Sequence, residues 1–320
     1  MFEILETSRI VANNSGFVHI DEAALADFCK TWIAKGIDVP PWDRFHHFRG
    51  TAKETIAYFF VLDALNFCFW PPPGKRRWEI EYRSRIFSGY YALSVSLKRA
   101  MDSGIPLTKA DFLANISLEE LTRILSGQGE LQLLSQRVGI LRELGQNLLD
   151  EYHGQAFEFL KAAENSATEL VRLVSEKLAS FRDVATYGTD RVFFYKRAQI
   201  LASDLYSAFN GVDWGYFKDI DKLTAFADYK LPQVLRHLGI LCYGPDLTQK
   251  VDQEILLEAG SREEVEIRAN TIWAVELIRQ RLESMGRKLM AFEIDGVLWD
   301  MGQREVFKVR PYHRTVSIFY

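Results

Sequence analysis

Hydrophobic residues recur at helical spacing along most of the chain, and polar helix-start signals precede many of these stretches. Leu170, Leu173, Val174 and Leu178 form one such apolar stripe. Four start signals have the Ser/Thr-x-x-Glu pattern of a capping box, in which two side chains bind free backbone amides; they begin at Thr51, Ser117, Ser166 and Ser261. The pattern predicts a mostly helical protein.

Two helices have predictable limits. Asp21 favours the start of a helix through Trp32 that Gly36 terminates, because aspartate binds first-turn amides and glycine adopts the left-handed cap. The helix that begins at Thr51 is predicted to end at the prolines of residues 71–73, since proline has no N–H to continue it.

Alternation typical of strands is rare, and the best cases are residues 78–82 and 315–320. No Ser/Gly/Pro-rich linker, low-complexity tract or internal repeat divides the chain. We therefore expect a mostly α fold with one or two small β patches, in a single compact helical domain spanning residues 1–320.

Composition narrows the function classes. Hydrophobic residues make up 48% of the chain and charged residues 26%, as in an ordinary globular enzyme. The net charge of -4 argues against a stable nucleic-acid partner, which needs a basic face. The chain shows no leader pattern and no run of ~18 apolar residues. We expect a cytoplasmic protein without a membrane partner.

Neither cysteines nor histidines predict a metal site. Cys29, Cys68 and Cys242 lie far apart without a CxxC pair, as expected of free thiols in a reducing compartment. His46 and His47 are adjacent, but the sequence offers no recognisable third ligand. The motifs GxGxxG, P-loop, HExxH and GxSxG are also missing from the sequence. We expect neither a metal nor another cofactor.

Seven short strings carry a specific resemblance. They are LNFCFW at 65–70, FSGYY at 87–91, FRD at 181–183, FYKRAQIL at 194–201, FADYKLPQVL at 226–235, EVEIR at 264–268 and LWD at 298–300. In order and spacing, from about residue 40 onward, they resemble the queuosine salvage protein family. One departure is at His46, which His47 follows here instead of the Glu-Leu-like continuation of the family.

The resemblance implies a fold similar to helical DNA glycosylases and a defined reaction. The family hydrolyses the N-glycosidic bond of queuosine 5'-monophosphate, a small-molecule nucleotide, and the products are queuine and ribose 5-phosphate. Queuine is a 7-deazapurine, so the N7 atom at which purine leaving groups are usually protonated is missing. The sequence does not identify a leaving-group donor.

Asp228 is the predicted catalytic carboxylate. A positive charge develops at ribose C1' as the base departs, and carboxylates usually stabilise it. Asp228 lies four residues before Pro232, where the free amides of a helix start would keep it ionised. From the residues alone a helix-capping aspartate is the favoured explanation, but the resemblance reverses this, because the family pattern places its catalytic aspartate here.

Lys196 is the second predicted catalytic residue. It shares a helical face with Gln199 and Ile200, and Asp204 lies one turn further along that face. It resembles the active-site lysine of the family, which implies binding to phosphate or ribose hydroxyls. Arg197, on another face, is predicted to be a structural ion-pair partner.

Other residues, most of them within the strings, are candidates for binding substrate. The aromatic ones would stack on the base, acidic ones would accept the amine of the queuine arm, and cations would bind phosphate. The stacking candidates are Phe69, Trp70, Tyr91, Phe226 and Trp299; the acceptors are Asp43, Asp63, Glu266 and Asp300; the cations are Arg182 and Arg268; the remaining candidates are His46, Ser88 and Tyr229.

Two other function classes stay open. A non-catalytic module that binds queuine or a 7-deazapurine nucleotide for tRNA modification would need the pocket but not Asp228. A DNA or RNA glycosylase would need a dense basic surface, which the composition disfavours. The sequence does not decide whether Asp228 forms a covalent adduct or activates water. Attack by Lys196 as a Schiff-base nucleophile is not expected.

Overall fold

Fourteen α-helices and six short strands form residues 2–320, the part of the chain that this computed structural model describes. The helices are α1 (Phe2–Asn13), α2 (Glu22–Lys35), α3 (Ala52–Ala64), α4 (Tyr90–Asp102), α5 (Ala110–Asn115), α6 (Leu118–Ile124), α7 (Leu134–Glu151), α8 (Phe157–Ala162), α9 (Ala167–Lys177), α10 (Lys196–Ala208), α11 (Lys230–His237), α12 (Pro245–Asp252), α13 (Arg262–Ser284) and α14 (Ala291–Met301). The strands are β1 (Val18–Ile20), β2 (Glu79–Tyr82), β3 (Arg85–Ser88), β4 (Val184–Tyr187), β5 (Asp190–Phe193) and β6 (Leu241–Tyr243).

The predicted helix starts are confirmed. The side chains of Asp21, Thr51, Ser117, Ser166 and Ser261 each accept a backbone amide of the helix that follows. Such a cap stabilises a helix by ~1 kcal/mol because it satisfies an amide that has no partner within the helix. Local polar residues therefore set where these helices begin.

The predicted end of α3 is wrong. The helix stops at Ala64, seven residues before the prolines. Around this end, the backbone carbonyls of residues 63–68 accept hydrogen bonds from the side chains of Lys196, Arg197 and Arg137. Side chains that are distant in sequence thus end this helix.

Strands pair two by two in three antiparallel patches: β1 with β6, β2 with β3, and β4 with β5. The strand predicted at residues 78–82 is confirmed as β2. The one predicted at residues 315–320 is wrong: this segment forms no strand, and Thr315 and Ser317 are buried. The mostly α prediction with small β patches is confirmed.

Two large groups of apolar side chains form most of the core. One is built from α3, α4, α7, α9 and α10 and the other from α2, α11, α13 and α14. Helix α10 of the first group faces the segment before α11, and α14 of the second, across a cavity. The single-domain organisation and the likeness to DNA glycosylases stay predictions. Within residues 2–320, no helix has both the length and the apolar character to cross a membrane.

Candidate active site

Asp228 lies in the turn directly before α11, as predicted. Its Oδ1 accepts the backbone amides of Lys230 at 2.7 Å and Leu231 at 2.9 Å, so the side chain does cap the helix. Among residues 2–320, Oδ2 has no hydrogen-bond partner, and the residue lines the cavity. Capping occupies one oxygen of the carboxylate and leaves the other without a partner in a residue that lines the cavity, so the two interpretations of this residue are compatible.

Lys196 begins α10 opposite this turn. Its side chain is 5% exposed, and Nζ donates to the carbonyl oxygen of Asn66 at 3.1 Å. Its backbone amide donates to Oδ2 of Asp183 at 3.2 Å. Hydrogen bonds therefore fix both the backbone amide and the ammonium group of this lysine in the wall of the cavity.

Lys196 and Asp228 each favour the ionised form of the other side chain. Burial lowers the pKa of Lys196 to about 8, and the negative charge of Asp228 acts against this change. Burial raises the pKa of Asp228, while Lys196 and the amides of Leu231 and Lys230 act against it. A cation and a carboxylate in a partly dry site interact more strongly than they would in water.

A cavity of about 340 Å³ extends from this pair along α10. Lys196, Ile200 and Asp204 line one side in successive turns, as the helical spacing predicted. Gln199, predicted on the same face, is instead buried and binds the backbone of Phe194 and Thr224. Helix α14 lines another side with Asp295 and Trp299. The volume suits a small-molecule site, which ranges from ~300 to 1,000 Å³.

Aromatic rings form much of the wall of this large cavity. The rings of Trp42 and His47 are stacked, with centroids 4.9 Å apart and planes at 11°. Trp299 packs edge-on against Tyr91 with centroids 5.4 Å apart. Phe226 also lines the cavity. Flat apolar faces suit a planar heterocycle, because stacking buries both of its faces.

His47 rather than His46 lines the cavity, which corrects the prediction for this pair. Nδ1 of His46 contacts the carboxylate of Asp43, and its ring lies behind Tyr91. His47 Nε2 lies 2.7 Å from the hydroxyl oxygen of Tyr90. Burial lowers the pKa of His47 to about 4, so the imidazole is neutral at physiological pH.

Three more carboxyl groups lie near Lys196 and Asp228. Asp204 lines the large cavity, and burial raises its pKa to about 7. Asp295 also lines the large cavity, and its Oδ2 accepts a hydrogen bond from the backbone amide of Phe226 at 2.7 Å. Burial raises the pKa of Asp295. Asp63 was predicted to bind the arm amine, but it is fully buried outside the cavity lining. Burial and the nearby Asp204 raise its pKa.

A smaller cavity of about 40 Å³ adjoins the large one. Lys196, Asp228, Tyr91 and Trp299 line both. The predicted residues Phe69, Ser88 and Tyr229 line only the small one, together with two cations that the sequence analysis missed, Arg77 and Lys230. The pair formed by Lys196 and Asp228 therefore lies at the junction of the two cavities. Asp43 and Asp300 line only the large one.

Three further candidates also line neither cavity, and their substrate-binding assignments are corrected. Trp70 is 2% exposed and packs in the core, with the Arg314 guanidinium 5.6 Å from its ring. Glu266 accepts the backbone amides of residues 16–18. Arg268 forms a buried ion pair with Asp183. The side chains of all three residues therefore contact other protein groups and not the cavities.

Two arginines differ from expectation in a similar way. Arg182 donates to the carbonyl oxygens of Ser175 and Glu176 and does not line the cavities, so it is not placed to bind phosphate. Arg197 is structural, as predicted, but its hydrogen bonds go to the carbonyls of Asp63, Ala64 and Ser180 instead of to a carboxylate.

Some lining residues carried a weak signal in the sequence. Asp295 stands in the apolar sequence of α14, four residues before Trp299, where an acidic residue is unexpected unless it has a function. Arg77 ends the basic run KRR after the prolines. Trp42 offered no signal, because its loop has no periodic pattern.

Comparison with known proteins identifies the family of this chain. The sequence model described as "Queuosine salvage protein" matches residues 46–320. Proteins named queuosine 5'-phosphate N-glycosylase/hydrolase are similar over nearly their whole length: 48% identity for that of Sphaerobacter thermophilus (99% of this chain, 97% of the relative) and 36% for those of Bos taurus (98% and 98%) and Dictyostelium discoideum (99% and 98%). This chain therefore belongs to the queuosine salvage protein family.

Proposed function

We propose that this chain is an N-glycosyl hydrolase that cleaves queuosine 5'-phosphate, with queuine and ribose 5-phosphate as products. The observation that carries the proposal is the position of Asp228, which lines both an aromatic-walled cavity and a smaller, basic one. Its Oδ2 has no hydrogen-bond partner among residues 2–320, and its carboxylate interacts electrostatically with Lys196. The names and coverage of the relatives support the same activity.

Asp228 would stabilise the sugar as the base leaves. Loss of the base puts positive charge on C1' and the ring oxygen, and a fixed carboxylate stabilises that charge most when it is already oriented. The amides of Lys230 and Leu231 provide that orientation, because they hold Oδ1 and leave Oδ2 toward the substrate. Water then supplies the hydroxyl of ribose 5-phosphate, and its remaining proton balances the one that the departing base gains on the nitrogen released from C1'.

The large cavity would hold the base and its arm. Trp42, Phe226 and Trp299 offer faces and edges for the planar ring. Asp43 and Asp300 line the same cavity and would accept hydrogen bonds from the cationic arm amine. The departing base thus leaves into surroundings that exclude much of the water.

The small cavity would hold the 5'-phosphate. Arg77 and Lys230 line it, and Ser88 offers a hydroxyl. The first turn of α4 also begins there, after Gly89, with no side chain capping its amides. Cations and free amides at a helix start together suit a phosphate group. Lys196, at the junction, would reach the ribose or the phosphate from its position in both cavities.

A free nucleotide is the proposed substrate, and the cytoplasm is the proposed site of action. The net charge of -4 gives little long-range attraction for a polynucleotide backbone. Lys196 stabilises charge in this mechanism and makes no Schiff base. Borohydride treatment during turnover should therefore leave no ribose-enzyme adduct.

The deciding experiment compares three substrates. Purified protein is incubated with queuosine 5'-phosphate, with the unphosphorylated nucleoside, and with a queuosine-containing tRNA anticodon stem, and free queuine is quantified by mass spectrometry. We expect rapid release from the monophosphate alone. Tight binding without release would indicate a binding module, and release from the stem-loop would indicate an RNA glycosylase.

A further inference from the structure

Arg268 and Asp183 form a buried ion pair next to Lys196 and Asp228, the reactive pair of the proposed function. Nη2 of Arg268 donates to Oδ2 of Asp183 at 2.6 Å and Nη1 donates to Oδ1 at 2.9 Å. Both side chains are 3% exposed. Two parallel hydrogen bonds between a guanidinium and a carboxylate fix direction as well as distance.

The Asp183 side of the pair holds the start of α10. Its Oδ2 also accepts the backbone amide of Lys196 at 3.2 Å, and its carbonyl oxygen accepts the amides of Phe194 at 3.0 Å and Tyr195 at 3.1 Å. Tyr195 has a φ of 46°, a left-handed conformation that a tyrosine keeps only when its surroundings hold it there. These contacts fix where the Lys196 side chain leaves the backbone.

The Arg268 side holds the other half of the site. Its Nε donates to the carbonyl oxygen of Ala227 at 3.1 Å, one residue before Asp228. The guanidinium lies between the rings of Phe194 and Tyr320, whose centroids are 3.9 Å and 4.3 Å from its central carbon. One rigid planar group therefore connects the Asp228 turn to the carboxylate that binds the Lys196 amide.

We propose that Arg268 and Asp183 are positioning residues for the reaction and set the spacing between Lys196 and Asp228; this inference rests on the proposed function. Neither residue lines a cavity, so both act through the catalytic pair. A displacement of about 1 Å at a reactive group can cost ~10²-fold in rate. The loss should fall on kcat, because the interactions affected are those of the transition state.

Glu264 provides a matched control within the same cluster. It is 2% exposed, and its Oε1 lies 3.5 Å from Nη1 of Arg268. Its other oxygen accepts the amide of Gly260, far from the catalytic pair in sequence. Glu264→Gln therefore removes one negative charge beside Arg268, as Asp183→Asn does, but leaves both connections to the reactive pair in place.

The experiment measures kcat and KM for queuine release from queuosine 5'-phosphate at a temperature well below each melting temperature, with rates normalised to folded protein by circular dichroism. We expect Asp183→Asn to lower kcat by ~30–100-fold with KM changed less than ~3-fold, and Glu264→Gln to change kcat less than ~3-fold. Arg268→Lys should resemble Asp183→Asn, because an ammonium keeps the charge but cannot hold Asp183 and Ala227 together.

Equal losses of normalised kcat in Asp183→Asn and Glu264→Gln would overturn the inference, since the ion cluster would then matter only for folding. Wild-type kcat in Arg268→Lys would also overturn it, since charge alone would suffice. Should Asp183→Asn fail to fold, the normalised kcat of Arg268→Lys is compared with that of Glu264→Gln instead. Equal losses in these two variants would then overturn the inference. An inactive wild-type enzyme would instead refute the proposed function.

Discussion

Nζ of Lys196 lies 3.1 Å from the carbonyl oxygen of Asn66, in the segment that leaves α3. The neighbouring carbonyls of this segment bind Arg197 and Arg137. Lys196 thus binds the segment that follows α3, begins α10, and interacts electrostatically with Asp228 through the same ammonium group. Its charge affects both the cavity wall and the carboxylate that would bind the sugar.

Replacing Asp228 with asparagine should abolish most turnover while leaving the cavity intact. We expect kcat to fall at least ~10³-fold, the scale of losing a main electrostatic stabiliser, with queuine affinity within a few-fold of wild type. Single-turnover kinetics and calorimetric titration with queuine measure the two effects. Asp27→Asn, an exposed aspartate on α2 paired with Lys30, is the matched control. Turnover near wild type in Asp228→Asn would refute the assignment.

Activity should decline as pH rises through about 8. The pKa of Lys196 is lowered to about 8, so the lysine is charged below that pH and loses its charge above it, which leaves Asp228 without its cation. The pH profile of kcat/KM for the free enzyme measures this limb. Lys196→Arg should remove it, because arginine stays charged.

Lys230 is the control for this pH effect, because burial also lowers its pKa to about 8. In Lys230→Arg the alkaline limb should persist. A limb that persists in Lys196→Arg and disappears in Lys230→Arg would assign the titration to Lys230.

Asp204→Asn should stabilise the protein at alkaline pH. A carboxyl whose folded-state pKa is raised, here from 3.8 to about 7, favours folding when protonated, and that stability is lost as pH rises across this interval. Asparagine resembles the protonated form at every pH. Since one pKa unit corresponds to ~1.4 kcal/mol, we expect Asp204→Asn to unfold with a free energy ~1–4 kcal/mol higher at pH 8 and little changed at pH 4. Urea titrations at both pH values, with Asp27→Asn alongside, test the difference; equal effects at both would contradict it.

Glu266→Gln should destabilise the fold without altering the chemistry. The carboxylate accepts the amides of Gly16, Phe17 and Val18 and the hydroxyl of Tyr187 while fully buried, and an amide cannot accept at both ends. Loss of charged hydrogen bonds should lower the free energy of unfolding by ~2–3 kcal/mol. Thermal melts and steady-state kinetics at low temperature check this. A raised KM in folded Glu266→Gln would instead indicate that Glu266 does contribute to substrate binding.

We also predict a single cooperative unfolding transition for the whole chain. The cavity is formed between the two main groups of apolar side chains, so separating them would open it. Urea unfolding followed by far-ultraviolet and near-ultraviolet circular dichroism should give coincident curves. Two separated transitions would indicate two folding units.

Local chemistry made several features predictable. The Ser, Thr and Asp caps specify helix starts from within four residues, and the face of α10 that carries Lys196, Ile200 and Asp204 follows from helical geometry. The turn that carries Asp228 was predictable for the same reason, since a capping aspartate and its amides are neighbours in sequence.

The chain by itself determined the helical class, the helix starts and the family, because each depends on short-range pattern or on strings that occur in order. Only the tertiary structure decided which candidates reach the cavity. His47 lines the cavity where His46 was predicted to do so. Glu266 and Arg268, predicted to contact substrate, instead bind protein groups that lie far from them in sequence. Buried charges take whichever partner packing brings near, and no local rule specifies that partner.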